Sequence, residues 1–221
     1  MDKPALILMT RLPVAGMVKT RLTPRLSGAA CADLQWALLA DLAPVLHSAD
    51  TDLFVFYTPT GPKQTLLRLK ELLGSAIYLP QQGDDLGQRM NLAFRQVFQQ
   101  GYDGGVLIGS DIPFVSNEDI KLVWQVLGDH DAVFGPSEDG GYWLVGLRNL
   151  FPPLFWRQNY GHDKVLAQAQ AVCSAYRLSV GLAEAKRDID IWEDLLYYRQ
   201  NIEVKKSSHF CEFIKELGNV I

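Results

Sequence analysis

The sequence has little that would tie it to an oxidised compartment, a metal cage or a membrane. Its three cysteines, Cys31, Cys173 and Cys211, are far apart and show no C-x-x-C spacing. That excludes a disulfide framework and a zinc knuckle, and points to a reducing, cytoplasmic setting. The four histidines show no H-E-x-x-H pairing, so each is expected to be structural or on the surface. No apolar run approaches the roughly 20 residues of a membrane helix, and the opening Met1-Asp2-Lys3-Pro4 is not that of a signal peptide. A net charge of −4 gives no general basic face for nucleic acid. There is no internal repeat and no low-complexity linker. Neither nucleic acid nor membrane is therefore expected as a partner.

What is present is ordinary for a globular α/β chain: 221 residues, 48% hydrophobic and 21% charged. Length favours one domain over residues 1–221. Short apolar runs at 5–9, 53–57, 76–79, 105–108, 131–134, 142–147 and 176–180 read as buried strands. Amphipathic stretches near 29–48, 63–73, 86–100, 117–128 and 163–174 read as helices between them, and 203–217 as a terminal helix. Leu66, Leu69, Leu72 and Leu73 recur at helical spacing and predict a core face. Ser116 with Asp119 three residues on predicts a helix start. The alternation predicts a mostly parallel sheet between helices. The run "GPSEDGG" is too short for a crossover helix and predicts a local antiparallel excursion.

Five segments carry candidate chemistry. The first, "MTRLPVAGMVKTRLTPRL" at 9–26, follows the first predicted strand. A Walker A loop needs glycine directly before its lysine. Here Val18 precedes Lys19, and Gly16 lies further back, so this is not a P-loop. Arg11, Lys19, Arg21 and Arg25 nevertheless crowd one loop. Guanidinium forks and a lysine ammonium suit phosphate oxygens, and ligands of open α/β sheets sit outside the strands' carboxyl ends. A solvated basic loop is the competing reading.

The second segment, "QQGDDLGQRM" at 81–90, offers Gln82 and Gly83 after a strand, Asp85 as a helix cap and Arg89 in the second turn. That is a phosphate or ribose contact, or simple capping. In "GVLIGSDIP" at 105–113, Asp111 follows a buried strand and small Gly109 and Ser110, a setting for Mg²⁺ or for a turn. "GPSEDGGYWLVGL" at 135–147 places Asp139 beside Gly140 and Gly141: a base or sugar contact, or a hairpin turn. "RDIDIWEDL" at 187–195 offers Asp188 and Asp190 on one face of an extended segment. There Asp190 is a second metal ligand or a cap with Glu193.

Taken in order, these segments resemble the GT-A-like transferases of the nucleotide-diphospho-sugar transferase superfamily, in particular the glycosyltransferase-like family associated with arsenosugar biosynthesis. They are also similar to 2-phospholactate guanylyltransferase in "KTRL" and "P-S-x-D-G-G". The resemblance covers about residues 5 to 195. It implies a three-layer α/β/α GT-A-like fold with a mostly parallel mixed sheet. It implies that Arg11, Gly16, Lys19 and Arg21 face nucleotide phosphates; Gln82 and Arg89 are the further contacts expected from their own segment. Asp111 and Asp190 would hold Mg²⁺ or Mn²⁺, and Asp139, Gly140 and Gly141 would face the sugar or acceptor. Two departures bear on the acceptor side: Ile191-Trp192 stands where the family shows Thr-Pro, and "QNYGHDKVL" replaces its Trp- and Thr-bearing segment. The implied activity is metal-dependent glycosyl transfer from a nucleotide-sugar to a small acceptor, with Asp111, Asp139 and Lys19 catalytic. Nucleotidyl transfer releasing pyrophosphate and a non-catalytic nucleotide-binding module are the alternatives.

Overall fold

A computed structural model describes residues 1, 3–49, 51–156, 158–201 and 208–218. In chain order the elements are β1 (Pro4–Thr10), α1 (Gly28–Ser48), β2 (Asp52–Tyr57), α2 (Lys63–Leu73), β3 (Ile77–Pro80), α3 (Leu86–Phe98), β4 (Gly104–Gly109), α4 (Asn117–Asp129), β5 (Ala132–Pro136), β6 (Tyr142–Leu147), α5 (Val165–Ala175), β7 (Val180–Leu182), α6 (Trp192–Asn201) and α7 (His209–Gly218). The strands form a 7-stranded sheet of order β3-β2-β1-β4-β6-β5-β7. Of these strands only β6 runs antiparallel to its neighbours, which is the excursion expected from the short "GPSEDGG" connection.

The sheet is buried on both faces, and period-two alternation sorts its side chains. Leu6 and Leu8 of β1 enter the layer built with Trp36, Leu39 and Leu46 of α1, Leu69 and Leu73 of α2, and Val123 of α4. Ala5, Ile7 and Met9 enter the opposite layer with Met90, Phe94 and Val97 of α3 and Cys173 of α5. Leu66 and Leu72 pack at the margin of the first layer, completing the predicted core face of α2. Ser116 and Asp119 form a reciprocal capping box at the start of α4.

α1 is, by length and mean hydropathy (1.3), the one helix among the described residues that could cross a membrane. No run of that kind was expected from the sequence. Its apolarity has another use here, because it is covered on two sides. One face lies on the sheet. The other, with Leu34 and Leu38, meets Leu22, Ile189, Leu195, Phe210 and Ile214 in a third cluster. Asp41 of α1 also accepts from His209 N and Phe210 N, at 2.8 and 3.0 Å, capping α7.

Two boundaries differ from the sequence reading. The strand expected over 176–180 is β7, at Val180–Leu182. Residues 176–178 instead close α5, with Tyr176 N and Leu178 N both bonded to the Cys173 carbonyl and Arg177 at φ 60. The terminal helix expected over 203–217 is α7, and residues 203–207 lie outside the described residues.

Leu34 is fully buried between α1 and the C-terminal helices. Leu34→Ala is expected to cost about 2–5 kcal/mol. Urea denaturation should show a lower midpoint with an unchanged slope.

Candidate functional site

The connections from the two central parallel strands run to opposite edges of the sheet: β1 leads through α1 to β2, and β4 leads through α4 to β5. Such a switch point opens a crevice outside the strands' carboxyl ends. Here it is a cleft of about 600 Å³. Its floor is polar and fully bonded. The Ser110 hydroxyl donates to Thr10 Oγ1 at 2.9 Å, and Gln35 Nε2 donates to Ser110 Oγ at 3.0 Å. All three are buried, so the bonds satisfy groups that water cannot reach.

The opening loop reaches the cleft through Lys19, which has a left-handed backbone at φ 50. Its side chain is only 4% exposed. Nζ lies 2.7 Å from Asp111 Oδ1 and 2.5 Å from the Ile189 carbonyl. A backbone bond from Ile189 N to Asp111 O, 3.1 Å, closes the same triangle. Lys19 thus joins the loops after β1 and β4 to the late acidic segment. Arg11 and Arg21 are exposed on the cleft rim. Arg21 pairs with Asp190, an exposed contact worth about 0–1 kcal/mol and readily exchanged for a ligand. Gly16 does not line the cleft. At φ 75 it turns the loop across the start of α1, where a Cβ on Gly28 would come within 2.8 Å of Gly16 N.

Six carboxylates line the cleft: Asp84 and Asp85 on the β3–α3 side, and Asp111, Asp139, Asp188 and Asp190 opposite the basic loop. Asp139 sits in the hairpin turn before β6, its Oδ1 accepting from Gly141 N at 2.9 Å. Gly141 lines the cleft. Gly140, at φ 88, holds the turn against α5, where any Cβ would overlap the Asp163 carbonyl. So "DGG" is both a turn and a cleft wall. Asp188 accepts from Ser137 Oγ at 3.0 Å. Burial pushes its pKa up, and the nearby Asp139 charge pushes it further, against partial relief from Ser137 and Lys19. The capping expected of Asp190 falls instead to Asp194, whose Oδ2 accepts from Asp190 N and Ile191 N. Asp190 is left to meet Arg21.

Among the described residues, no group of three or more His, Cys, Asp or Glu converges as a metal cage. The donor set still suits Mg²⁺ or Mn²⁺, which take one or two carboxylates and complete their shell with water and phosphate. Among the described residues neither Asp188 nor Asp139 has a cation within salt-bridge distance, and the Asp139 charge bears on Asp188, an excess that a cation would relieve.

On the β3–α3 side, Arg89 lines the cleft with Nε donating to the Gly83 carbonyl at 2.9 Å. Gln82 is exposed and does not line it. Its neighbour Gln81 does, with Nε2 donating to the carbonyls of Thr10 and Phe56, both at 3.0 Å. Sequence reasoning missed Gln81, Trp143, Tyr160 and His162. Position directly after β3 was a signal for Gln81. Tyr160 and His162 fall in "QNYGHDKVL", the segment whose departure from the family bears on the acceptor side, and they reach the cleft because the 158–164 loop packs between the hairpin turn and α3.

The fold is that of nucleotide-diphospho-sugar transferases and nucleotidyltransferases. Residues 41–162 match the family described as "Uncharacterized protein conserved in bacteria (DUF2064)", and the chain belongs to that family. It is 30% identical to a protein of Desulfovibrio desulfuricans G20 provisionally named a nucleotide-diphospho-sugar transferase, with TM-score 0.88, covering 100% of this chain and 97% of that one. Rv0371c of Mycobacterium tuberculosis H37Rv, solved as a manganese complex, is 15% identical with TM-score 0.57, covering 90% of this chain and 100% of its own. CMP:2-keto-3-deoxy-manno-octonic acid synthetase complexed with CTP is 10% identical with TM-score 0.53, covering 90% and 97%. No match was found among curated proteins.

Because the Asp188 pKa is raised on folding, its ionisation opposes the folded state. The penalty is absent at low pH and grows as pH rises from the unfolded carboxylate pKa through the raised folded value. Asp188→Asn is therefore expected to raise Tm at pH 7 by roughly 1–3 °C, the scale on which small free-energy changes register in a chain this long. The gain should vanish below about pH 4, near the ordinary pKa of an aspartate. A melting series from pH 3 to 8 checks both.

Proposed function

We propose that this protein is a divalent-cation-assisted transferase that moves a sugar from a nucleotide-diphospho-sugar to a small acceptor. The observation carrying the reading is the division of charge within one cleft. Exposed arginines occupy the rim, and Asp188 and Asp139, only partly compensated, lie on the acidic side.

In this reading Arg11 and Arg21 hold the donor diphosphate, Arg21 turning from Asp190 to do so. Arg89 is a further contact on the β3–α3 side. Lys19 fixes the acidic segments from below and screens Asp111. Asp111 and Asp190, joined by Asp188, would hold Mg²⁺ or Mn²⁺, which supplies Lewis-acid stabilisation of charge on the leaving diphosphate. Asp139, with one oxygen fixed by Gly141 N, takes the proton of the acceptor hydroxyl. The acceptor oxygen bonds to the sugar carbon as the bond from that carbon to the diphosphate breaks. The nucleoside diphosphate then leaves past the arginine rim. The sugar and acceptor enter along Gly141, beside Asp139, while Gly140 holds the turn in place.

Likeness to the CTP-bound synthetase favours a second reading on the same cleft: attack on the α-phosphate of a nucleoside triphosphate with release of pyrophosphate.

Melting curves with Mn²⁺ separate these readings, taken across nucleotide-sugars and nucleoside triphosphates on wild type and Asp111→Ala. At a hundredfold excess over Kd a ligand stabilises by about 2.7 kcal/mol. A Mn²⁺-dependent rise with one nucleotide-sugar, lost in Asp111→Ala, is expected. A rise confined to a triphosphate, followed by pyrophosphate release, transfers the assignment to nucleotidyl transfer. Binding without turnover of any donor leaves a sensor module, and no binding of either class sinks all of these readings.

A further inference from the structure

The capping box of α4 contains a third partner that neither capping nor chemistry at the cleft requires. Asp119 Oδ2 accepts from Ser116 N at 2.7 Å and from Ser116 Oγ at 2.8 Å. It also meets Lys186 Nζ at 2.9 Å, with side chains 9% and 14% exposed. Burial raises the Asp119 carboxyl, but the bonds from Lys186 and Ser116 outweigh it and hold the pKa below its ordinary value. A buried ion pair of this kind adds little net stability, and its best-attested use is to fix a register.

The register at stake is that of the segment carrying Asp188. Lys186 pairs by backbone with the irregular end of β5: its N–H donates to Pro136 O at 3.0 Å, and its carbonyl accepts from Glu138 N at 3.1 Å. Just before it, the Glu184 carbonyl accepts from Trp143 Nε1 at 3.1 Å. The Lys186 ammonium also lies 5.6 Å from the Trp143 ring, and Trp143 lines the cleft. Two residues on, Asp188 receives the Ser137 hydroxyl. A slip of one residue would present Arg187 or Ile189 in its place. At its other end the ion pair holds the start of α4, which directly follows the loop bearing Asp111.

We propose that Lys186 and Asp119 are positioning residues for the cleft: their ion pair sets the register of Asp188 and its placement relative to Asp111, and so the cleft's affinity for a divalent cation. Neither residue lines the cleft. The inference rests on the cation-assisted reading above.

The test is direct Mn²⁺ binding by electron paramagnetic resonance, with no substrate present, on Lys186→Met, Asp119→Asn, the double variant and Lys186→Arg. Circular dichroism identifies the folded variants. Loss of an outer partner of a metal ligand costs on the order of tenfold in affinity. That loss is expected for each single change to Met or Asn, with the double variant no weaker than either single one. Lys186→Arg should stay within about twofold of wild type. Should Lys186→Met not fold, Asp119→Asn, which keeps the shape and most cap bonds, carries the comparison. Wild-type binding with unchanged affinity in the folded variants overturns the proposal alone. Absence of Mn²⁺ binding by wild type overturns it together with the cation-assisted reading.

Discussion

The candidate site depends on one buried ammonium. Lys19 is joined to Asp111 and to the carbonyl of Ile189, 170 positions away in the chain. A lysine this deep is tolerated only with its charge and donors met, here by the half-exposed Asp111 carboxylate and a backbone carbonyl. Its left-handed backbone adds strain that the surrounding contacts must offset. Three loops with no sequence proximity are therefore held in one arrangement. Leu22 and Ile189, flanking this junction, are covered in turn by α1, α6 and α7. The C-terminal helices stand behind the site without entering it.

Charge is distributed unevenly around this anchor, and the unevenness separates structure from chemistry. Asp111 is answered by Lys19, Asp119 by Lys186 and Asp194 by Arg187. Asp188 and Asp139 are left facing each other. Retaining the pair costs stability and leaves a place where a cation or a proton has a strong reason to bind.

Local motifs here also take on tertiary roles. The Ser116–Asp119 capping box is complete by itself, yet it recruits Lys186 from the far side of β5. The Asp139–Gly140–Gly141 turn is a hairpin turn by every local criterion, yet its backbone seats the start of α5 and its carboxylate faces the cleft. In each case the local reading and the functional reading describe the same atoms.

The sequence by itself determined the layered architecture. Period-two and helical spacing of apolar residues dictate which faces are buried, and this held for β1 to β6 and α1 to α4 with small boundary shifts. It also placed the opening basic loop and Asp111 at the carboxyl end of the sheet, because each directly follows a predicted strand. It misjudged the end of α5, where bonds to Cys173 and Asp131 override strand propensity. It named Gln82 where Gln81 lines the cleft, and offered Asp190 as the cap of α6 where Asp194 supplies it. Those choices turn on which carbonyl or guanidinium lies opposite, and the partners come from elsewhere in the chain. For the same reason only the tertiary structure decided that Lys19 is a buried clasp while Arg11 and Arg21 are the exposed cations. Charge type is written in the sequence, but its burial is set by what packs against it.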